Sequence, residues 1–448
     1  MRHFDVVILG GGSGAEAVWG AGLADRSVAV IEELRFGGEC PFLACMPSKA
    51  MLHSASRHLS SGDEERSRRP REAYSKATER RDRIADHRDD SQHLHQLQER
   101  GVEAIRGRGR VVEPGVLEVN GERIAADDLV IATGSMPSLP AVPGLDQVDY
   151  WLSDRVLSTS ELPESAVILG GGPVGCELAQ VLARFGCRTC LIEVAPALVA
   201  QEEPELGRAL SETLSLDGVE VLLGRAVDSV EPLPNGGVLV RRERDQPRHA
   251  QVLVVATGRK PRVRDLGLEA YGLASDAERL DIDEHCRALG QERLFGIGDV
   301  TGVAPFTHTA KYQGEVAAAN IQGGSAVADY RAIPRVIYTD PPVAAVGLTR
   351  KRAEAGKLTI ASATFDLAET ARALAEGISR GEVVLVADKV GQVLVGAALA
   401  GPAADEAVGW ATLAIKAQLP LSFLRDTVVP FPTYSEGYLA ALDSLIRP

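Results

Sequence analysis

One pattern occurs twice in this chain and limits its fold more than any other feature. In the first copy an apolar β run, Phe4 to Leu9, leads into Gly10-Gly11-Gly12-Ser13-Gly14-Ala15 and a helix-like segment, and the next strand ends at Glu32. In the second, a β run before Gly170 leads through Gly172 and Gly175 into a helix and a strand ending at Glu193. From first glycine to acid the spacing is 22 residues in one copy and 23 in the other. Gly10 and Gly12, with Ala15 in the third place of the pattern, allow a tight turn that brings a pyrophosphate against backbone N–H groups at a helix N-terminus. The acid stands where a carboxylate accepts a hydrogen bond from a ribose hydroxyl. A single copy is a weak signal; two complete copies predict two dinucleotide sites. The expected fold is therefore α/β, with two Rossmann-like dinucleotide-binding domains. A flavin and a nicotinamide fit two sites better than one cofactor does. Glu193 favours NADH over NADPH, because it repels a 2′-phosphate and Arg188 precedes the strand instead of following the acid.

Composition limits the partners. A chain of 448 residues has room for about three domains. Its 45% hydrophobic and 25% charged content is that of a soluble globular protein. No apolar run is long enough for a transmembrane helix, and the N-terminus enters a strand at once, so a cytoplasmic location is expected. A net charge of −14 argues against nucleic acid and anionic membranes as main partners. Six cysteines in so long a chain are not a disulfide framework.

Two of those cysteines are closely spaced. Cys40 and Cys45 lie in "FGGECPFLACMPSKA", separated by four residues, with Lys49 following. If a helix opens here, they are near enough for a strained, reducible bridge, and a thiolate at its N-terminus is a better nucleophile. Zinc is the rival reading, but no second Cys/His pair with ligand spacing accompanies them. Two inert, buried thiols are the bland one.

The run Gly37-Gly38-x-Cys40-x4-Cys45-x-Pro47-Ser48-Lys49 resembles the redox segment of the flavoprotein disulfide reductases, which include dihydrolipoamide dehydrogenase, glutathione reductase, mycothione reductase and mercuric reductase. Further segments carry the resemblance along the whole chain. "LVIATGS", with Thr133 and Gly134, and "LVVATGRKP", with Gly258, look like the two Ala-Thr-Gly segments. "LFGIGDVTG", with Gly298 and Asp299, looks like the second flavin motif, and Ile333 to Thr349 like the entry to an interface domain. The resemblance implies FAD and NAD(P)H as cofactors. Hydride passes to FAD and an electron pair on to the disulfide. It implies that Cys45 faces the flavin, that Cys40 faces a small-molecule substrate, that Lys49 pairs with Glu177, and that Asp299 holds the ribityl chain. It also implies a homodimer whose active site is shared across the interface, and three domains: residues 1–150 with 277–332 for FAD, 151–276 for NAD(P), and 333–448 as a C-terminal α+β interface (dimerisation) domain. Ala44 and Pro173 depart from the common residues, but neither removes a chemical group.

The remaining features have plainer readings. The charged stretch over residues 57–110 reads as one or two solvated helices before a strand. His93 and His95 point to different helix faces, so no metal site is expected there. His53 resembles a common family residue. Cys187 and Cys190, like Cys176 and Cys286, read as core.

The C-terminal segment carries the largest departure. In the frame where these reductases have His-Pro-Thr-x-x-Glu, this chain has Phe431-Pro432-Thr433-Tyr434-Ser435-Glu436. A phenyl ring transfers no proton. Thr433 and Glu436 also form a capping-box pattern ahead of a helix. Three outcomes are open. Tyr434 or Glu436 takes over the proton; the acceptor, such as a metal ion, needs none; or a quinone or oxygen accepts electrons with the cysteines as a relay or dispensable. A redox-sensing flavoprotein is a further reading. The terminal cysteine pair typical of mercuric reductase is absent from the last residues.

Overall fold

The structure, a computed structural model, describes residues 1–23, 25–60, 70–234, 236–243 and 245–446. The chain divides into two compact units.

The first unit comprises Met1–Pro47, Arg80–Ser138 and Gly258–Asp329. Its sheet runs in the order Glu103–Arg106, Val28–Glu32, Arg2–Leu9, Glu122–Ile131, Val116–Val119, Arg110–Glu113, with Leu294–Gly296 beside Glu122–Ile131. Arg2–Leu9 is parallel to both neighbours, Val6 standing opposite Val28 on one side and Asp128 on the other. Val6, Val7 and Ile8 are fully buried, which explains why this strand reads as a continuous apolar run and not an alternating one. Helix Ser13–Gly20 follows the first glycine loop. Phe4, Leu9, Ile31, Leu117, Leu129 and Val300 belong to the core on one face.

The second unit comprises Ser48–Glu79, Leu139–Thr257 and Tyr330–Pro448. A parallel sheet is ordered Glu220–Leu222, Arg188–Ile192, Ser165–Leu169, Val252–Val255, Tyr150–Trp151. Helix Pro173–Arg184 follows the second glycine loop, and Pro173 occupies its first turn, where a missing N–H costs nothing. A separate antiparallel sheet is ordered Pro334–Ile337, Val343–Gly347, Val393–Ala400, Glu382–Asp388, Ile360–Asp366. Helices Ala404–Lys416 and Glu436–Ile446 share its core. There Tyr438 is fully buried, donates its hydroxyl to the Ala407 carbonyl at 2.8 Å and stacks on Trp410. A buried aromatic of this kind contributes about 2–3 kcal/mol. The expected fold class is the observed one: two parallel glycine-loop sheets and a C-terminal α+β part.

The charged stretch differs from expectation. It forms helices Pro70–Ile84 and Ser91–Glu99 before strand Glu103–Arg106, while residues 61–69 lie outside the described residues. These helices are not merely solvated. Tyr74 joins the second unit's core, and Arg81 is fully buried. Arg81 keeps its charge paired, donating to Asp82 at 2.8 Å, and Asp82 also accepts from Arg88 at 2.9 Å. A charge enters a core only when paired in this way.

In the second unit, one face of helix Pro173–Arg184 carries a buried polar network. Arg184 donates to Asp217 (2.9 Å), Asp340 (2.8 Å) and Ser56 (2.9 Å), and Gln180 donates to Asp217. Among the described residues no helix is long and apolar enough to cross a membrane.

Candidate functional site

The two glycine loops repeat each other in detail. Gly10 has φ +107° and Gly170 φ +109°, and a Cβ on either would meet a backbone carbonyl oxygen, of Ala132 or Ala256, at 2.3 Å. Neither position admits another residue without moving the next strand. The acids also do the same thing in both copies. Glu32 accepts from the Gly11 N–H at 2.7 Å and the Leu34 N–H at 2.6 Å. Glu193 accepts from the Gly171 N–H at 2.6 Å and the Ala195 N–H at 2.7 Å. Sequence reasoning assigned these carboxylates to a ribose and missed that each also closes its own loop. The second strand ends at Ile192, so Glu193 stands one residue past it. Ala15 is buried under the first loop, and Gly175 fits so tightly that a Cβ would lie 1.9 Å from the Gly170 carbonyl oxygen. Around Gly12 and Gly172 there is open space: the nearest atom to a Cβ is Gly38 Cα at 3.8 Å in the first, and nothing lies within 4 Å in the second. An open face at the start of a helix is what a pyrophosphate requires.

The first unit also gathers the Ala-Thr-Gly and Gly-Asp segments. Thr133 donates to the Arg262 carbonyl at 2.6 Å, and Gly134 receives the Arg262 N–H. Asp299 follows Gly298 in a short 3-10 turn and accepts from the Ser135 hydroxyl at 2.6 Å. Gly258 opens the ribbon in which Arg259–Pro261 pairs with Ser135–Pro137. Gly298 donates its N–H to Gln313 at 2.7 Å.

Cys45 is the first residue of helix Cys45–Leu59, and Cys40 sits in the turn before it, its carbonyl accepting from the Met46 N–H at 3.0 Å. Both are partly exposed thiols. Cys45 Sγ lies 3.6 Å from Thr307 Oγ1, at the start of helix Thr307–Ile321. Hydrogen bonding to Cys45, then burial, drives the Cys40 thiol far above its ordinary range, against the opposing pull of Thr307 and Lys311. Cys45 itself stands at the N-terminus of a helix, a position that favours a negative charge on sulfur. Thr307 was not singled out by sequence reasoning, because nothing in its neighbours marks a threonine as a sulfur contact. Two residues on, Thr309 Oγ1 is buried without a hydrogen-bond partner among the described residues. An open glycine loop, an orphaned hydroxyl, the Asp299 carboxylate and the thiol pair fit a bound flavin dinucleotide.

Lys49 and Glu177 meet in the second unit. Lys49 Nζ lies 3.0 and 2.9 Å from the two carboxylate oxygens of Glu177. Glu177 is 5% exposed and also accepts from the Tyr338 N–H at 3.0 Å, while the ammonium lies 4.6 Å from the centre of the Tyr338 ring. Tyr338 falls inside the segment Ile333 to Thr349 but carried no signal of its own.

At the C-terminus, Phe431 is 75% exposed on the single chain, and the Phe431–Pro432 peptide is cis. Half of the capping box forms. Thr433 donates its N–H to Glu436 Oε2 at 3.1 Å, but its hydroxyl donates to the Pro430 carbonyl at 2.7 Å and does not cap the helix. Tyr434 is buried and donates its hydroxyl to Glu376 at 2.7 Å. Burial, and then Glu376, push that phenol up to about 12.

The other candidates stay apart. His53 is exposed. His93 contacts Glu16 and His95 contacts Glu99, so the two rings diverge. Cys187 and Cys190 are buried, and burial raises their thiols to about 11 and about 12. Cys176 and Cys286 are buried as well. Among the described residues no group of three or more His, Cys, Asp or Glu is placed to hold a metal ion.

Residues 4–314 match the family described as pyridine nucleotide-disulphide oxidoreductase, and residues 333–442 match its dimerisation domain. A dihydrolipoyl dehydrogenase of Thermus scotoductus is 32% identical over 456 residues, covering 99% of this chain and 98% of that protein. A mercuric reductase of Streptomyces lividans is 32% identical over 452 residues, covering 97% and 94%. Among solved structures, the Cu(II) complex of the HOCl-induced flavoprotein disulfide reductase RclA from Escherichia coli superposes with a TM-score of 0.87 at 25% identity, over 100% of both chains.

Proposed function

The chain belongs to the pyridine nucleotide-disulphide oxidoreductase family, and on that premise we propose that it uses NADH to reduce a small acceptor, a thiol-reactive metal ion first among candidates, through Cys40 and Cys45 without a histidine relay. Family members depend on FAD, use NAD(P)H and are oxidoreductases, and this chain is one of them. FAD, bound at the first loop, supplies hydride acceptance from NAD(P)H and delivery of an electron pair to sulfur.

The protein's own groups do the rest. Gly10, Gly12 and Ala15 make room for the flavin pyrophosphate; Glu32 and Asp299 take ribose and ribityl hydroxyls, and Thr133, Gly134 and Gly298 shape the wall between them. Gly170, Gly172, Gly175 and Glu193 do the same for NADH, and Gly258 turns the chain into the ribbon of Arg259. Lys49, fixed by Glu177, is the positive charge on the helix that opens at Cys45. These roles follow domains at residues 1–150 with 277–332, 151–276 and 333–448, in a cytoplasmic homodimer whose interface carries Phe431 to the thiol pair.

The observation that carries the choice of acceptor lies at residues 431–436. Where a proton carrier would stand there is Phe431, and the Tyr434 hydroxyl is already given to Glu376. Glu436 keeps a carboxylate, but one that accepts from Thr433. A disulfide acceptor must be protonated on release, whereas a metal ion needs only electrons. The reduced pair gives two electrons to one Hg(II), leaving Hg(0), or one each to two Cu(II), leaving Cu(I); its sulfurs rejoin, and the two thiol protons pass to solvent. The printed names of two similar proteins, a mercuric reductase and a Cu(II) complex of RclA, support this reading.

The test is NADH oxidation by the flavin-loaded protein with Hg(II) or Cu(II), against lipoamide, glutathione disulfide and a quinone. Metal turnover should lead and should vanish in Cys40→Ser. Faster disulfide turnover overturns the choice of acceptor, and quinone turnover that survives Cys40→Ser at full rate moves the activity off the cysteines.

A further inference from the structure

The carboxylate of Asp299 is held by a chain of hydrogen bonds that starts at Glu39. Arg259 Nη2 donates to Glu39 Oε2 at 2.6 Å and to the Ser135 carbonyl at 2.9 Å, and Nε donates to the Ser135 hydroxyl at 2.7 Å. That hydroxyl donates in turn to Asp299 Oδ2 at 2.6 Å. Chemistry fixes its direction. A guanidinium only donates, so the Ser135 oxygen accepts from Arg259 and its single proton goes to Asp299. Ser135 is 6% exposed, which leaves little room for water to turn that proton away. Asp299 is half-buried, and among the described residues its other oxygen, Oδ1, accepts no hydrogen bond. The backbone of the same turn is held separately: Gln313 accepts from the Gly298 N–H at 2.7 Å, and Thr301 donates its hydroxyl to the Gly298 carbonyl at 2.8 Å. All of these residues belong to the first unit.

We propose that Arg259 and Ser135 are positioning residues for the cofactor: they occupy one oxygen of Asp299 and leave the other to accept from a hydroxyl of the ribityl chain. This rests on Asp299 being the carboxylate that takes the ribityl chain. A carboxylate already oriented loses less freedom when the cofactor arrives. Without the Ser135 hydroxyl it turns freely in the unloaded protein and must be ordered on binding, an expected loss of about three- to tenfold in FAD affinity. Removing Arg259 reaches the same result by another route, since the Ser135 proton is then free to turn away from Asp299. The two residues act through one hydrogen bond, so their effects do not add. Glu39 fastens the far side of the guanidinium, which ties the segment carrying Cys40 to Asp299.

The experiment is FAD titration of the full chain stripped of flavin, read by quenching of flavin fluorescence, in the parent, Ser135→Ala, Arg259→Met, the double variant and Asp299→Ala. It is repeated with FAD analogues that each lack one ribityl hydroxyl. Each of the Ser135 and Arg259 variants should weaken FAD about three- to tenfold, and the double variant should fall within about twofold of the weaker single one. One analogue should bind the parent more weakly than FAD does, yet bind Ser135→Ala as well as it binds the parent, because the hydroxyl that Asp299 accepts is gone. A structural defect would instead weaken every analogue alike. Equal weakening across all analogues overturns the proposal, as does FAD affinity that stays unchanged in Ser135→Ala while Asp299→Ala loses it. Unchanged affinity in Asp299→Ala overturns the assignment of Asp299 itself, and the proposal with it. If Arg259→Met does not fold, Ser135→Ala decides. If a stripped protein does not take flavin back, the rate of FAD release from the loaded protein makes the same comparison. No acceptor is present, so failure here is separate from failure of the proposed metal-ion turnover.

Discussion

Lys49 Nζ reaches both carboxylate oxygens of Glu177, at 3.0 and 2.9 Å, from a helix whose first residue is Cys45. The ammonium is about one-third exposed, but the carboxylate is nearly buried, so the acid depends on the base more than the reverse. Lys49→Met strands a buried carboxylate that still accepts from the Tyr338 N–H. The expected cost is on the order of 2–3 kcal/mol in urea unfolding, with slower flavin reduction by NADH. Glu177→Gln, which keeps the Tyr338 hydrogen bond, should cost less.

Phe431 gives the prediction with the largest expected gain. Restoring a proton carrier with Phe431→His should raise turnover of a small disulfide by about tenfold or more, up to the 10²–10⁴-fold that general acid–base help supplies. Metal-ion turnover should change little. The check is steady-state kinetics with both acceptors side by side.

Tyr434 is expected to serve stability and not catalysis. Tyr434→Phe should leave turnover within about twofold and cost about 1 kcal/mol, the usual worth of such a hydrogen bond. Its pH dependence has a definite sign. The folded phenol is raised to about 12, above the ordinary value of 10.0. Its contribution is therefore full below pH 10 and is lost as pH rises from there to about 12. The stability advantage of the natural protein over Tyr434→Phe should fall in that window.

Arg184 tests the buried network. Arg184→Met leaves Asp217 with only Gln180 among its described side-chain donors, and should destabilise the second unit by about 3–5 kcal/mol. Thermal unfolding measures it.

Cys187 and Cys190 should be silent. Their replacement by alanine is expected to leave NADH-driven turnover intact, and thiol reagents should label Cys40 and Cys45 in the folded protein well before either of them.

The doubled glycine pattern made the two nucleotide-binding sheets legible, because a pyrophosphate turn imposes glycine at fixed places and the flanking strands must be apolar. The thiol pair was legible for the same reason, a local spacing with local chemistry. Contacts between distant segments were not. Thr307 beside Cys45, Tyr338 over Lys49, and Arg259 on Glu39 each join residues more than 200 positions apart, and none alters its own neighbourhood. Arg81 misled for the opposite reason: a charge-rich helix reads as solvated unless the burial and pairing of one arginine are known. The capping box was half right, because Thr433 found a nearer acceptor in the carbonyl of Pro430.

Anaerobic titration of the oxidised, flavin-loaded protein with NADH counts the electrons the thiol pair accepts. With Cys40 and Cys45 in the path, full reduction takes up about two NADH per flavin, one for the flavin and one for the disulfide, and about one in Cys40→Ser. Uptake of about one equivalent by the natural protein, unchanged in Cys40→Ser, would contradict electron transfer through the cysteines.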